Sequence, residues 1–361
     1  MKIAVFHNLP IGGAKRVLYE EVKFLAKKHE VTLFQMSGQE RGLFDLEKFA
    51  KRTYWFNFKE ENNLPFIFNR LYSDYRKMVS LRKVHKLMAQ RINDSNFDVV
   101  LIHPDWHTQS PYILRYLKTQ KIYYCHELLR ISYEKELEFN QDVVFFKKLY
   151  ENIIRKVYKH IDMTNAKSSD IILVNSLFTK QNVFKAYGKD SVVCYPGVNS
   201  DFFRPISNLT KKTVLFAGDE EQIFGEEFKK KVSDSLPKKN TIQNFIRNKN
   251  GKDKKLVELY NRALVTVCIT RNEPFGMIPL ESMSCGVPVI GLNEGGYKET
   301  VLNDKTGVLI SKNINEIRNA IDYFMKTPYN SSRMGKFARD YVKSKFTWEK
   351  HMKVLEETIQ Q

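Results

Sequence analysis

Two carboxylates, Glu273 and Glu281, stand eight positions apart in a stretch that runs from Arg271 to Gly291. Gly276 lies between them, where the backbone can turn sharply or come close to a ligand. The apolar run Ala263 to Thr270 before them reads as a buried strand, Ile278 to Ser284 as a short helix, and Val287 to Leu292 as the next strand. This is a βαβ unit whose loop lies at the carboxyl end of a strand, the edge where open α/β sheets bind ligands. Two further places put polar groups at strand ends. Gly12 and Gly13 follow the apolar run Lys2 to His7 and lead into a helix whose N-terminus favours anions. Their spacing is neither GxGxxG nor a Walker A motif, so a phosphate site and a plain tight turn both remain open. His126 ends the strand from Lys121, as His103 to His107 end the one from Phe97. A hydrogen-bonded structural histidine and a site residue are both open for His126.

The elements that must position these groups alternate β and α along the whole chain. Val17, Leu18, Val22, Leu25 and Ala26 form one face of the first helix, and Glu30 to Gln35 is the second strand. Ser37 to Pro65 reads as irregular. Asn69 to Asn93 is helical, with Leu71, Tyr75, Met78, Leu81, Val84, Met88 and Ile92 at steps of three or four. Its other side carries seven Arg and Lys residues against Asp74, which fits either a solvated basic face or one for anionic lipid. A basic helix runs from Phe145 to His160. Strands at Ile171 to Val174, Val192 to Tyr195, Lys211 to Gly218 and Thr306 to Ile310 complete the pattern. The polar stretch Pro237 to Lys255 reads as a loop around one short strand near Thr241 to Ile246, and Phe224 to Leu236 as a helix. The fold class is therefore α/β with two Rossmann-like parallel-sheet domains. Residues 1–195 form the first, 196–205 the linker, 206–345 the second, and 346–361 a last helix expected to pack back on the first.

The chain has 361 residues and a formal net charge of +18, which favours anionic partners. No helix-turn-helix, RNP or zinc spacing is present, which argues against nucleic acid. The four cysteines, Cys125, Cys194, Cys268 and Cys285, lack metal or redox spacing and read as free buried thiols. No secretory leader and no run of 18 apolar residues is seen. The expectation is a cytoplasmic protein, with peripheral contact at the inner face of an anionic membrane.

The ordered series of motifs resembles the retaining glycosyltransferases of family 4, of GT-B fold, over most of the chain. Glu273-Pro274-Phe275-Gly276 with Glu281 looks like that family's E-x7-E signature, and Ser282 to Ile290 like its continuation. Gly295-Gly296 with Glu299 and Val301, then Thr306-Gly307, match the next motif in that family's order. Val174-Asn175-Ser176 with Phe178-Thr179, and Tyr195-Pro196-Gly197-Val198 with Phe203, are similar to earlier family motifs, and Phe346 to Glu349 to its last-helix start. The resemblance implies that Glu281 accepts hydrogen bonds from nucleotide ribose hydroxyls and that Glu273 holds hydroxyls of the donor sugar. It implies that backbone amides of Phe275, Gly276 and Met277 contact sugar and phosphates. Gly12 and Gly13 would approach the diphosphate or acceptor, and His126 would lie near the donor sugar.

The implied reaction is retaining, metal-independent hexosyl transfer, without a cofactor, from a UDP-, GDP- or ADP-sugar to a glycan, lipid-linked or protein acceptor. The chain departs from the family just after Gly218. Asp219-Glu220-Glu221 stand where an Arg and then a Lys-Gly are usual, or else Gly218-Asp219-Glu220 is a later family turn and one β/α unit is missing. The diphosphate then needs other cations, and Lys15, Arg16, Arg130 and Arg271 are the candidates. The same gap leaves a second reading, a catalytically weak protein that binds nucleotide or glycan. An epimerase or phosphorylase of the same fold is a smaller rival.

Overall fold

The computed structural model describes residues 1–37, 44–58, 67–134, 145–217, 242–245 and 253–361. The chain divides into two compact units, one of residues 1–175, 179–193 and 358–361, the other of residues 176–178 and 194–357.

In the first unit, β1 (Lys2–Asn8), β2 (Glu30–Met36), β3 (Arg52–Phe56), β4 (Val99–Asp105), β5 (Lys121–Cys125), β6 (Ile171–Val174) and β7 (Val192–Val193) form one sheet. The order is β3-β2-β1-β4-β5-β6-β7, and every pairing is parallel. Helices α1 (Gly13–Leu25), α2 (Ile67–Asn93), α3 (Arg130–Tyr133), α4 (Phe145–Lys167) and α5 (Leu177–Tyr187) connect the strands. Parallel strands buried on both faces need continuous apolar runs, and β1 and β4 supply them, buried along almost their whole length. The chain winds outward from β1 to β3, then crosses back to β4, so the switch point lies between β1 and β4. In doubly wound sheets the carboxyl edge there is the ligand edge.

The second unit holds β8 (Thr213–Ala217), β9 (Ile242–Phe245), β10 (Ala263–Cys268), β11 (Val289–Leu292) and β12 (Gly307–Ile310), all parallel in the order β12-β11-β10-β8-β9. Its helices are α6 (Asp253–Arg262), α7 (Met277–Ser284), α8 (Tyr297–Thr300), α9 (Ile314–Lys326), α10 (Pro328–Lys345) and α11 (Trp348–Ile359). Here the switch point is between β8 and β10, and the Glu273 loop leaves the carboxyl end of β10. The fold is thus two Rossmann-like parallel-sheet domains.

Three expectations change. Ser37 to Pro65 is not wholly irregular, because Arg52–Phe56 forms the edge strand β3, paired among the described residues with β2. Its residues are half-buried at most, so it lacks the apolar run that marks the inner strands. Along α2, Leu81, Met88 and Ile92 are buried as the periodicity requires, but Tyr75 is exposed. The sequence pattern predicts a helix from Met334 to Phe346, but α10 begins at Pro328, because proline at the first helical turn loses no hydrogen bond. The turn after Gly218, the helix from Phe224 to Leu236 and most of Pro237 to Lys255 lie outside the described residues.

Candidate active site

In the second unit, the loop after β10 is held by backbone fit. The Gly296 N–H donates to the Glu273 carbonyl at 2.7 Å. A Cβ on Gly296 would lie 2.4 Å from Phe275 Cα, and one on Gly295, whose φ is +60, 2.6 Å from the Glu273 carbonyl oxygen. Only two glycines let the segment before α8 press this closely on the Glu273 loop. The Ser176 hydroxyl donates to the Pro274 carbonyl at 2.6 Å, and the Asn272 N–H to Glu294 Oε1 at 2.9 Å. Glu273 itself is half-buried, and its charge helps burial to hold the Tyr297 hydroxyl well above the usual phenol range.

Gly276, at φ +95, is the N-cap of α7, and no side chain caps that helix. Its first-turn amides at Met277 and Ile278 belong to the helix end that attracts anions. Phe275 turns its ring into the core against Tyr195 and Phe346. α7 is pinned to β10 by the Ser282 hydroxyl, which reaches Thr266 Oγ1 at 2.7 Å. That register places Glu281 wholly inside, where the Tyr260 hydroxyl donates to its Oε2 at 3.0 Å. The neighbouring Cys285 thiol is pushed up to about 12, first by burial and then by the Glu281 charge. Sequence reasoning missed Tyr260, whose only signal is an aromatic residue in a helix that precedes the strand.

In the first unit, β1, β4 and β5 are neighbours, in a register that sets Phe6 beside Ile102 and Ile102 beside Tyr123. His7, His103 and His126 therefore fall at one sheet edge. His103 Nδ1 and His126 Nε2 are 3.1 Å apart, and His103 Nε2 lies 2.7 Å from Glu21 Oε2 on α1. Burial, with the charges of Lys15 and His103 adding, holds His7 well below the ordinary imidazole value. The Asn175 amide, just past the end of β6, donates to the His126 carbonyl at 2.8 Å and so fixes that backbone. Gly12 is the extended N-cap of α1, again without a side-chain cap, and Gly13 opens the helix. The sequence offers His103 only as a strand end and gives no sign of Glu21.

The four candidate cations stand in different settings. Lys15 and Arg16 are buried on α1, with Arg16 over the Phe44 ring at 5.5 Å. Arg130 is bound by Glu134 through two contacts, at 2.8 and 3.1 Å. Arg271 lies 3.8 Å from Glu294.

The sequence pattern described as Glycosyltransferase Family 4 matches residues 11–202, more than half of the chain. The chain belongs to glycosyltransferase family 4. A second pattern, Glycosyl transferases group 1, matches residues 208–341 of this family 4 protein. The human alpha-1,3/1,6-mannosyltransferase ALG2 is 25% identical over 307 residues, which cover 70% of this chain and 71% of the relative. The Rhizomucor pusillus protein of the same name is 38% identical over 89 residues, 25% of this chain. The chain spans only about a fifth of two of the curated relatives it matches, 20% of the Rhizomucor and 18% of the Dictyostelium discoideum protein. Among solved structures, sucrose-phosphate synthase from Thermosynechococcus elongatus matches with a TM-score of 0.72 and 17% identity, over 100% of this chain and 98% of that one. Anabaena Alr3699/HepE in complex with UDP-glucose matches with a TM-score of 0.72 and 15% identity, over 100% and 99%. At that identity the likeness concerns the fold, which is GT-B.

Proposed function

We propose that this glycosyltransferase is a retaining hexosyltransferase that takes its sugar from a nucleoside diphosphate donor without a metal. The observation that carries the reading is the buried Glu281, one helical turn inside an uncapped helix N-terminus and next to the glycine-shaped Glu273 loop. A buried carboxylate is an acceptor that a ribose diol can satisfy. First-turn amides suit sugar and phosphate oxygens, and Glu273 suits the sugar hydroxyls. In the first unit His126 serves the transfer. The bond from the anomeric carbon to the phosphate oxygen breaks, the acceptor oxygen bonds to that carbon on the same face, and the acceptor proton passes to the leaving phosphate. The site must stabilise the charge that grows on that phosphate. Lys15, Arg16 and Arg271 are the cations nearest the two proposed edges in sequence; Arg130 must first leave Glu134. The mannosyltransferase named among the relatives and the UDP-glucose in the Anabaena structure support a hexose donor. The experiment is a turnover screen with UDP-, GDP- and ADP-hexoses. At least one should be consumed, and binding without turnover of any would overturn the transferase reading.

The acceptor we propose is lipid-linked, met at an anionic membrane surface. On α4, Leu149, Ile153 and Val157 project into solvent at steps of four, among Lys148, Lys156 and Lys159. On α2, Tyr72, Tyr75 and Leu87 do so among Arg76, Lys83 and Lys86. The acids of these stretches are withdrawn: Glu151 is buried, and Asp74 accepts the Tyr150 hydroxyl, which joins the two helices. Apolar ridges flanked by lysine bind anionic lipid interfaces. No helix among the described residues is long and apolar enough to cross a membrane. Vesicles containing phosphatidylglycerol should sediment the protein and neutral vesicles should not. Equal behaviour towards both, or no loss in Ile153→Glu, would overturn this.

A further inference from the structure

Glu21, His103 and His126 form a line that starts in the interior of the first unit and ends at its sheet edge. Glu21 and His103 are fully buried, and His126 nearly so. A carboxylate at that depth costs several kcal/mol unless a partner meets it, and apolar side chains would fill the space between α1 and β4 more cheaply. Here the partner is His103, whose Nε2 lies 2.7 Å from Glu21 Oε2, and the next group is His126, whose Nε2 lies 3.1 Å from His103 Nδ1. The first contact is close but does not meet hydrogen-bond geometry, and catalytic hydrogen bonds are often poorly aligned until substrate tightens them. Tyr124 packs edge-on against both rings, with centroids 5.4 Å from His103 and 4.3 Å from His126, and so fixes their planes.

The order of the protons is set by what each group can do. A carboxylate only accepts, so the His103 proton belongs on Nε2. With that proton on Nε2, His103 offers Nδ1 as its acceptor, and the hydrogen between the two rings belongs to His126 Nε2. That leaves Nδ1 as the acceptor nitrogen of His126.

The geometry points to Glu21 and His103 as positioning residues that hold His126 in its Nε2–H tautomer, so that its Nδ1 accepts from a substrate hydroxyl. This rests on the proposal that His126 serves sugar transfer. Holding a histidine by a carboxylate through its far nitrogen is a general way to set tautomer and orientation; what is particular here is that a second imidazole carries the effect to the sheet edge.

The test uses the full chain with 15N-labelled histidine and long-range proton–nitrogen correlation spectra, together with steady-state kinetics. Wild-type His126 should give the Nε2–H pattern. Glu21→Gln is nearly isosteric and His103→Phe keeps the ring contacts; each should turn His126 into a mixture of tautomers. Each should lower kcat about a hundredfold, with the donor KM changed by less than about threefold. The double variant should be no slower than His103→Phe alone, because the two residues act in series. A wild-type Nδ1–H tautomer, an unchanged tautomer in both variants, or a changed tautomer with unchanged kcat would each overturn the inference. The spectra do not need turnover. If the tautomer shifts as expected while no donor is consumed by wild type, the positioning of His126 stands and the transferase reading falls.

Discussion

The two sheet edges that carry candidate residues, one in each unit, are built by different means. At the edge of the second unit, shape is set by backbone: Gly295 and Gly296 press on the Glu273 loop, Gly276 turns the chain into α7, and one carboxylate, Glu281, is held inside by Tyr260. At the edge of the first unit, shape is set by titratable side chains: His7, His103 and His126 on neighbouring strands, with Glu21 and Lys15 from α1 behind them. A backbone-built edge tolerates changes of pH and fails when a methyl group is added. An edge built from buried imidazoles tolerates small steric changes and fails when protons are added. The same parallel-sheet plan thus yields one edge shaped by close backbone contact and another shaped by buried titratable side chains.

Four changes should break or sharpen that contrast, and the largest concerns Glu281. Glu281→Ala should lower the kcat/KM for the donor about a thousandfold, since it removes a buried charged acceptor; isotope-labelled sugar transfer measures it, and a loss below tenfold would take the ribose role from Glu281. Next is Gly296→Ala, whose methyl has no room against Phe275. It should cost about 2–4 kcal/mol of stability in urea titrations and most of the transfer activity, whereas an alanine at Gly12, where nothing lies within 4 Å of a new Cβ, should cost less than about 1 kcal/mol.

The third change tests the acid sensitivity of the first unit through His85 on α2. Its pKa is lowered to about 4 by burial, against the opposing pull of Asp105. A histidine lowered in the folded state binds more protons when unfolded at any pH between about 4 and its ordinary value of about 6.5. Its contribution is therefore present above about 6.5 and is lost as pH falls through that window, to the extent of roughly 3 kcal/mol. His7, lowered in the same direction, adds to the slope. In His85→Phe the dependence of unfolding free energy on pH between 7 and 4 should be shallower than in wild type; identical slopes would remove His85 from the account. Smallest is Tyr260→Phe, which takes one hydrogen bond from Glu281. The donor KM should rise about tenfold and stability fall by about 1 kcal/mol; calorimetric titration with nucleoside diphosphates reads the first, and an unchanged affinity would make Tyr260 structural only.

Sequence reading served the second edge better than the first. Glu273, Gly276 and Glu281 lie within one continuous segment, which a strand, a turn and a helix arrange in sequence order. The Gly295-Gly296 pair was visible as a motif, although its steric reason needed the approach to Phe275. The first edge joins residues far apart in the chain. His126 was legible because it comes directly after its strand, but Glu21 sits in an amphipathic helix, where a charged residue ordinarily faces water. That it turns inward is a property of how α1 lies on β4, and periodicity does not report the exception. β3 was hidden for a similar reason: an edge strand needs only one good face. The helical spacing of α2 assigns Tyr75 inward, yet the ring is exposed while Ser73 and Met78 on either side of it are covered.

The Cys285 thiol, at the end of α7, has a practical consequence. Buried beside Glu281 and pushed up to about 12, it is almost entirely in the unreactive protonated form. Cys125, Cys194 and Cys268 are buried as well. Each thiol can meet an alkylating reagent only when its surroundings open, and mass spectrometry separates the four by peptide. The alkylation rate of Cys285 is therefore a built-in clock for the opening of the Glu281 helix. A nucleotide that binds there should slow that clock in proportion to its occupancy, even in a variant that transfers no sugar.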